Sequence, residues 1–206
     1  MPDLPLVFIV GDSISLGYTP FVEKELAGRA RIVHHAGNGG DSANVLANLG
    51  AWLAELGTRP ALIHANAGLH DLRFWTERNA YQVPLESYRR NMAILAEKLR
   101  AAAGKTVWAL TTPVLDGAPN MSREFPRKDA DVRAYNAAAA EAMKAAGVPV
   151  NDLYALVQSF GPGKVINPDG VHFGEDGYAR LGTAVARAVG RGLGLSSAEC
   201  EVRSAK

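Results

Sequence analysis

Residues 5–18 read PLVFIVGDSISLGY, and the fold follows from how this stretch divides. Leu6 to Val10 is an unbroken apolar run of strand length, rich in β-branched residues and closed by Gly11. That is the pattern of a buried strand. Asp12 and Ser13 stand where the strand stops. Both residue types cap helices well, so one reading is an ordinary strand-to-helix turn. The other is that Ser13 is a nucleophile held at the edge of a sheet. The far end of the chain separates the two.

Outward from this stretch, strands and helices alternate. A helix is expected over 19–29, then a short strand from Arg31 to His34 that ends in the loop HAGNGGDS. From Ser42 to Leu56 the apolar positions Val45, Leu46, Leu49, Trp52, Leu53 and Leu56 have helical spacing. Residues 61–68, ALIHANAG, form the third strand and its turn. Tyr88, Met92, Leu95 and Leu99 share one face of a helix over 85–103, closed by Gly104. KTVWALTTP is the fourth strand, 114–127 a surface loop, and Asp129 to Ala146 an Ala-rich helix. VPVND supplies the fifth strand. A short helix over 152–159, the loop 161–177 and a final helix from Tyr178 to Val189 complete the chain. Strands alternating with helices imply a parallel sheet covered on both faces. The expected fold is a three-layer α/β/α sandwich around five strands. A single domain covers 1–194, with a frayed tail over 195–206.

The 206 residues suit one domain with a sizeable core. With 22 Lys and Arg against 21 Asp and Glu, the net charge of +1 gives no electrostatic reason to expect nucleic acid as a partner. Cys200 is the only cysteine, so no intrachain disulfide or thiolate metal cluster forms. No stretch has the roughly 18 apolar residues of a membrane span. MPDLPLVFIV has no signal-peptide pattern, which makes a cytoplasmic location the expectation. Nothing in the composition or spacing asks for a cofactor or a metal. His34 and His35, adjacent on a strand, are expected on opposite faces, which is wrong for joint ligation.

Chemistry collects in four loops: Gly11-Asp12-Ser13, Gly37-Asn38-Gly39-Gly40-Asp41, Gly68-Leu69-His70-Asp71 and Asp169-Gly170-Val171-His172. The first three lie at carboxyl ends of strands, where open α/β sheets bind ligands. A serine needs a base within hydrogen-bond reach. His172 is the best candidate, and Asp169, three residues earlier, is placed to orient its ring. Acyl transfer also needs donors aimed at the developing oxyanion. The Ser13 N–H, the Gly40 N–H and the His70 side chain fit those positions. Asp12 and Asp71 read as turn or bracing residues. Phe74 and Trp75 follow the third loop and are candidates to wall a substrate pocket, with ordinary packing as the alternative.

These blocks resemble the SGNH (GDSL) hydrolases. Gly11-Asp12-Ser13 is similar to the block carrying the nucleophile, Gly40 to the oxyanion glycine, and Asp169 to His172 to the closing D-x-x-H. The resemblance implies a flavodoxin-like sandwich that hydrolyses esters or thioesters without a cofactor. One block departs: where the family has G-x-N-D, this chain has Gly68-Leu69-His70-Asp71, so the third donor becomes an imidazole. The expected substrate is a small-molecule ester, first a short-chain or acetyl ester, with acetylated carbohydrate as one candidate. A thioesterase or lysophospholipase is the alternative within the class. A sugar- or nucleotide-binding relative without catalysis is the alternative outside it. The chain has neither G-x-G-x-x-G after its first strand nor a P-loop, and no G-x-S-x-G.

Overall fold

The computed structural model describes residues 4–195. The expected tail beyond that point, with Cys200, lies outside the described residues. Strands β1 (Leu6–Val10), β2 (Arg31–His34), β3 (Leu62–Ala65), β6 (Lys105–Ala109) and β7 (Val150–Asn151) form one sheet in the order β2-β1-β3-β6-β7. Every pairing in it is parallel. Val10 lies opposite Ala65, and Ala65 opposite Trp108, so the carboxyl ends form one rim. The chain steps from β1 to β2 on one side and returns to β3 on the other. In open parallel sheets the ligand crevice lies where the order reverses, here between β1 and β3.

All residues of β1 and β3 are buried, as in strands covered by helices on both faces. His64 is the polar member of β3. Its ring meets the Tyr18 hydroxyl at 3.4 Å and the Asn151 amide at 3.3 Å. Burial pushes it down to about 4, so it stays neutral in the core.

Helices α1 (Ser13–Glu25) and α7 (Glu175–Leu193) pack side by side on one face. The other face is covered by α2 (Ser42–Glu55), α3 (Leu85–Ala102) and α4 (Asp129–Ala145). The contact between α1 and α7 requires glycine on both sides. A Cβ at Gly17 would lie 2.2 Å from the Tyr178 ring, and one at Gly182 would lie 2.4 Å from Phe21 Cβ. This close seam sets Ser13, the first residue of α1, next to the loop that leads into α7. Gly182→Ala is therefore expected to destabilise the protein by about 1–3 kcal/mol through overpacking. That reverses the gain of up to about 1 kcal/mol which alanine brings to an ordinary helical glycine. Urea denaturation measures the sign directly.

Several boundaries and small elements differ from the sequence expectation. Helix α1 starts at Ser13 rather than near 19, because Gly17 and Pro20 inside it mask its first turns. Helix α7 starts at Glu175 rather than Tyr178. The expected plain loops also hold small elements: an antiparallel hairpin of β4 (Phe74–Trp75) and β5 (Ala80–Tyr81), and a one-turn α6 (Pro162–Val165) after α5 (Leu153–Phe160). Two-residue strands carry too little periodicity to be seen in a sequence.

Residues 114–127 are more than a surface loop. Val114 and Arg127 are buried. The segment straps two parts of the rim together: Leu115 and Asn120 donate to the carbonyls of Gly170 and Pro168, and Phe74 and Thr76 donate to those of Pro126 and Glu124.

Candidate active site

Asp12 is the N-cap of α1, and its Oδ1 accepts the Ile14 N–H at 3.0 Å. Ser13 is thereby released from capping and takes the first helical position. Its Oγ lies 2.9 Å from His172 Nε2. His172 Nδ1 meets Asp169 Oδ2 at 2.7 Å, while Asp169 Oδ1 accepts the N–H groups of Val171 and His172, both at 2.9 Å. Burial alone would raise the Asp169 carboxyl, but those two N–H bonds and the His172 ring outweigh it and hold the group below its usual range. An ionised carboxylate only accepts, so the proton sits on His172 Nδ1. In the neutral ring Nε2 then carries the lone pair and accepts from the Ser13 hydroxyl. Both side chains of the His172–Asp169 pair remain about 40% exposed, at 41% and 39%, so the relay is open to a ligand.

The D-x-x-H loop is held from outside by the strap. Gly170 has φ +78°, and a Cβ there would lie 2.7 Å from Ala118 Cβ and 2.8 Å from Met121 Cε. Only glycine lets the strap lie this close while the chain turns left-handed.

The second loop is braced against the first, and the start of α2 against the third. Gly39 donates to the Gly11 carbonyl at 2.9 Å, and a Cβ at Gly39 would lie 2.7 Å from that oxygen. The Asp71 carboxylate accepts the Ser42 N–H with both oxygens at 3.0 Å, and the Ser42 hydroxyl as well. Burial pushes Asp71 up to about 7 despite these bonds. It is a clamp between the GLHD loop and the start of α2. The Gly40 N–H faces the exposed Asn38 side chain and donates to its Oδ1 at 2.8 Å. The His70 ring makes no hydrogen bond with protein among the described residues. Burial, followed by the charges of Arg73 and Arg127, pushes it down to about 3. It is neutral at ordinary pH and offers one N–H.

Phe74 packs edge-on against Tyr81 at 5.2 Å, and Trp75 lies 5.0 Å from the Phe125 ring. Trp75 Nε1 donates to Gln82 Oε1, and Gln82 Nε2 donates to Asp41 Oδ2, the cap of α2. The hairpin is thus tied to the Gly40 loop. Arg73 and Arg127 also stand at this rim, and both were missed in the sequence. Arg73 directly follows the third block, but Arg127 sits in a segment whose composition reads as solvent-exposed.

His34 and His35 are not on opposite faces as expected. Strand β2 ends at His34, and the two rings come within 4.4 Å. Each places Nδ1 against a backbone carbonyl, His34 on His35 and His35 on Ala36, and His35 stacks on Trp52 at 3.9 Å. Among the described residues no group of three His, Cys, Asp or Glu side chains is arranged to hold a metal ion, and no helix is long and apolar enough to cross a membrane.

A family model for GDSL-like lipases/acylhydrolases matches residues 9–180, most of the chain. The chain belongs to this family. It is therefore an ester hydrolase of the SGNH type, as its sequence blocks imply. The structure is similar to that of a lipase/acylhydrolase from Enterococcus faecalis, with 20% identity, a TM-score of 0.75, and 91% of this chain and 97% of that one covered. It is similar to Axe2, an acetylxylan esterase from Geobacillus stearothermophilus, with 16% identity, a TM-score of 0.71, and 98% and 97% covered. It is also similar to a putative SGNH hydrolase from Slackia heliotrinireducens, with 20% identity, a TM-score of 0.69, and 91% and 100% covered. At these identities the likeness is one of fold. No curated protein sequence matches the chain.

Proposed function

We propose that this SGNH hydrolase cleaves short-chain or acetyl esters, with acetylated carbohydrate as the first substrate class, through an acyl-enzyme on Ser13. The observation that carries the reading is the continuous relay from Ser13 Oγ through His172 to Asp169, at 2.9 and 2.7 Å. Ser13 Oγ attacks the acyl carbonyl as His172 Nε2 takes its proton. Asp169 holds the ring and stabilises the imidazolium. His172 then protonates the leaving alcohol, and a water repeats the sequence on the acyl-enzyme.

The oxyanion is assigned to the Ser13 N–H, the Gly40 N–H and His70. At the first helical position the Ser13 N–H has no partner within its own helix. The Gly40 donor is turned toward Asn38 in the free protein, and an exposed side chain is easily displaced by a stronger acceptor. The neutral His70 ring has an N–H to give. Phe74 and Trp75 are assigned to the pocket wall. Acetyl substrates are favoured because the chain has no long apolar lid segment, and the similar fold of Axe2 belongs to an acetylxylan esterase.

The test is a panel of p-nitrophenyl esters of rising chain length, acetylated xylo-oligosaccharides and acyl thioesters, with fluorophosphonate labelling read by mass spectrometry. The expected result is a label on Ser13 and turnover falling beyond short acyl chains. A preference for long acyl chains or thioesters points to the lysophospholipase or thioesterase alternative. A protein that takes no label and turns over none of the panel is a binding relative.

His70→Ala is expected to lower kcat on p-nitrophenyl acetate by about 10²–10³-fold, the effect of losing one oxyanion donor, with a much smaller change in KM. His70→Asn restores a side-chain N–H and is expected to recover most of the loss. Steady-state kinetics at pH 7 to 8 separate the two variants.

A further inference from the structure

We infer that Arg73 and Arg127 form an anion-binding subsite beside the Ser13–His172 relay, and that the natural ester carries an acidic group. This rests on the ester-hydrolase reading and names the class of substrate within it.

Arg127 is only 7% exposed, and its Nε–H donates to the Leu69 carbonyl at 2.7 Å. That bond aims the guanidinium from the residue next to His70. The Arg73 Nε is buried and has no hydrogen-bond partner. Both guanidinium carbons lie over the same Phe125 ring, Arg73 at 4.8 Å and Arg127 at 5.7 Å from its centre. Among the described residues neither arginine is in an ion pair. Arg127 is buried and Arg73 half-buried, and an arginine taken out of water is almost always paired, because an uncompensated charge there is costly.

The nearby carboxylates do not supply the pairing. Asp12, Asp41 and Asp169 are near enough to be felt by one or both arginines. Yet Asp12 Oδ1 bonds Ile14, Asp41 bonds Asn44 and Gln82, and Asp169 bonds Val171 and His172. Asp12 Oδ2 is buried and bonded to nothing, so even this acid is not turned onto a guanidinium. The two cations also disfavour each other: burial first, and then Arg73, pull Arg127 down to about 10. An arrangement that costs stability in the free protein and leaves donors idle is suited to a ligand anion. A guanidinium fork matches a carboxylate or phosphate in two parallel bonds.

The position fits a substrate group. Arg127 is anchored on the Leu69 carbonyl at 2.7 Å and the Arg73 backbone N–H donates to the His70 carbonyl at 3.4 Å, so both arginines are held by the loop that carries His70, whose ring feels their charges and that of His172. Beside it lies a cleft of about 590 Å³ whose lining includes Arg123, Arg127 and Lys128 with one acid, Asp116. The chain as a whole is near neutral, at +1, so this excess is local.

The test compares kcat/KM within two matched ester pairs, each corrected for its full enzyme-free rate at the same pH, which for the free acid of the acyl-side pair includes attack by its own carboxylate. One pair puts the charge on the acyl side: mono-p-nitrophenyl glutarate against its methyl ester. The other puts it on the leaving group: 4-acetoxybenzoate against its methyl ester. The expected result is at least a tenfold preference for the acid in one pair, which also tells which half carries the charge. That preference is expected to fall several-fold in 0.5 M NaCl, to fall toward unity in Arg73→Gln, and to be partly kept in Arg73→Lys. No acid preference in either pair, with the esters still cleaved, overturns the subsite and leaves the hydrolase reading standing. Equal loss on both members of a pair in Arg73→Gln overturns it too, since that is what a purely structural arginine does. Failure of the wild type to cleave all four esters overturns both readings.

Discussion

Ser13→Ala is expected to lower kcat on p-nitrophenyl acetate by roughly 10⁴–10⁶-fold while leaving the fold intact. As the proposed nucleophile, Ser13 is the one group in the relay that no neighbour replaces, since water must then attack without a covalent intermediate. The accompanying stability change is the more telling half of the result. If Ser13 were the helix cap, its removal would cost about 1 kcal/mol. In the structure Asp12 carries the cap through its bond to Ile14, and Ser13 is half-exposed at a position alanine fills well. The expected stability change is therefore within about 0.5 kcal/mol. Activity and thermal denaturation measured on the same preparation check both parts.

Asp169→Asn is expected to lower kcat by about 10⁴-fold. An amide in this position still offers an oxygen to the N–H groups of Val171 and His172. Its NH₂ then faces His172 Nδ1 and donates to it. The ring proton moves to Nε2, where the base is needed bare, so His172 no longer takes the proton of Ser13. The geometry is nearly unchanged, and the tautomer is wrong. The wild-type carboxyl lies below its usual range, so it stays ionised at mildly acidic pH. Its contribution to stability is full above the unfolded value of 3.8 and is lost as pH falls through the lower folded value. A kcat profile from pH 5 to 9, with the nitrogen resonances of His172 in both proteins, separates a tautomer change from a misplaced ring.

Much of this was readable from residue order. Leu6–Val10 and Ala61–Ile63 are apolar without alternation, as in strands covered on both faces. The D-x-x-H block carries its own geometry: Asp169 accepts from backbone two and three residues ahead, and so reaches the ring of His172 without help from the rest of the fold. The start of α1 was not readable, because Gly17 and Pro20 contradict helix propensity. The reason for Gly17 lies on another helix, in Tyr178. The hairpin at Phe74 was too short to show a period.

By itself, the sequence determined the alternation of buried strands and helices, and with it a parallel sheet whose loops gather on one rim. It also named Ser13, His172 and Asp169 as the candidates for nucleophile, base and orienting acid. These are properties of neighbours along the chain. Tertiary structure alone brought Ser13 to His172 across 159 residues, and set the buried Arg127 and the half-buried Arg73 over one phenyl ring with no ion pair among the described residues. Burial, charge proximity and unspent donors are set by what packs beside a residue, and that partner comes from a distant segment which local pattern does not name.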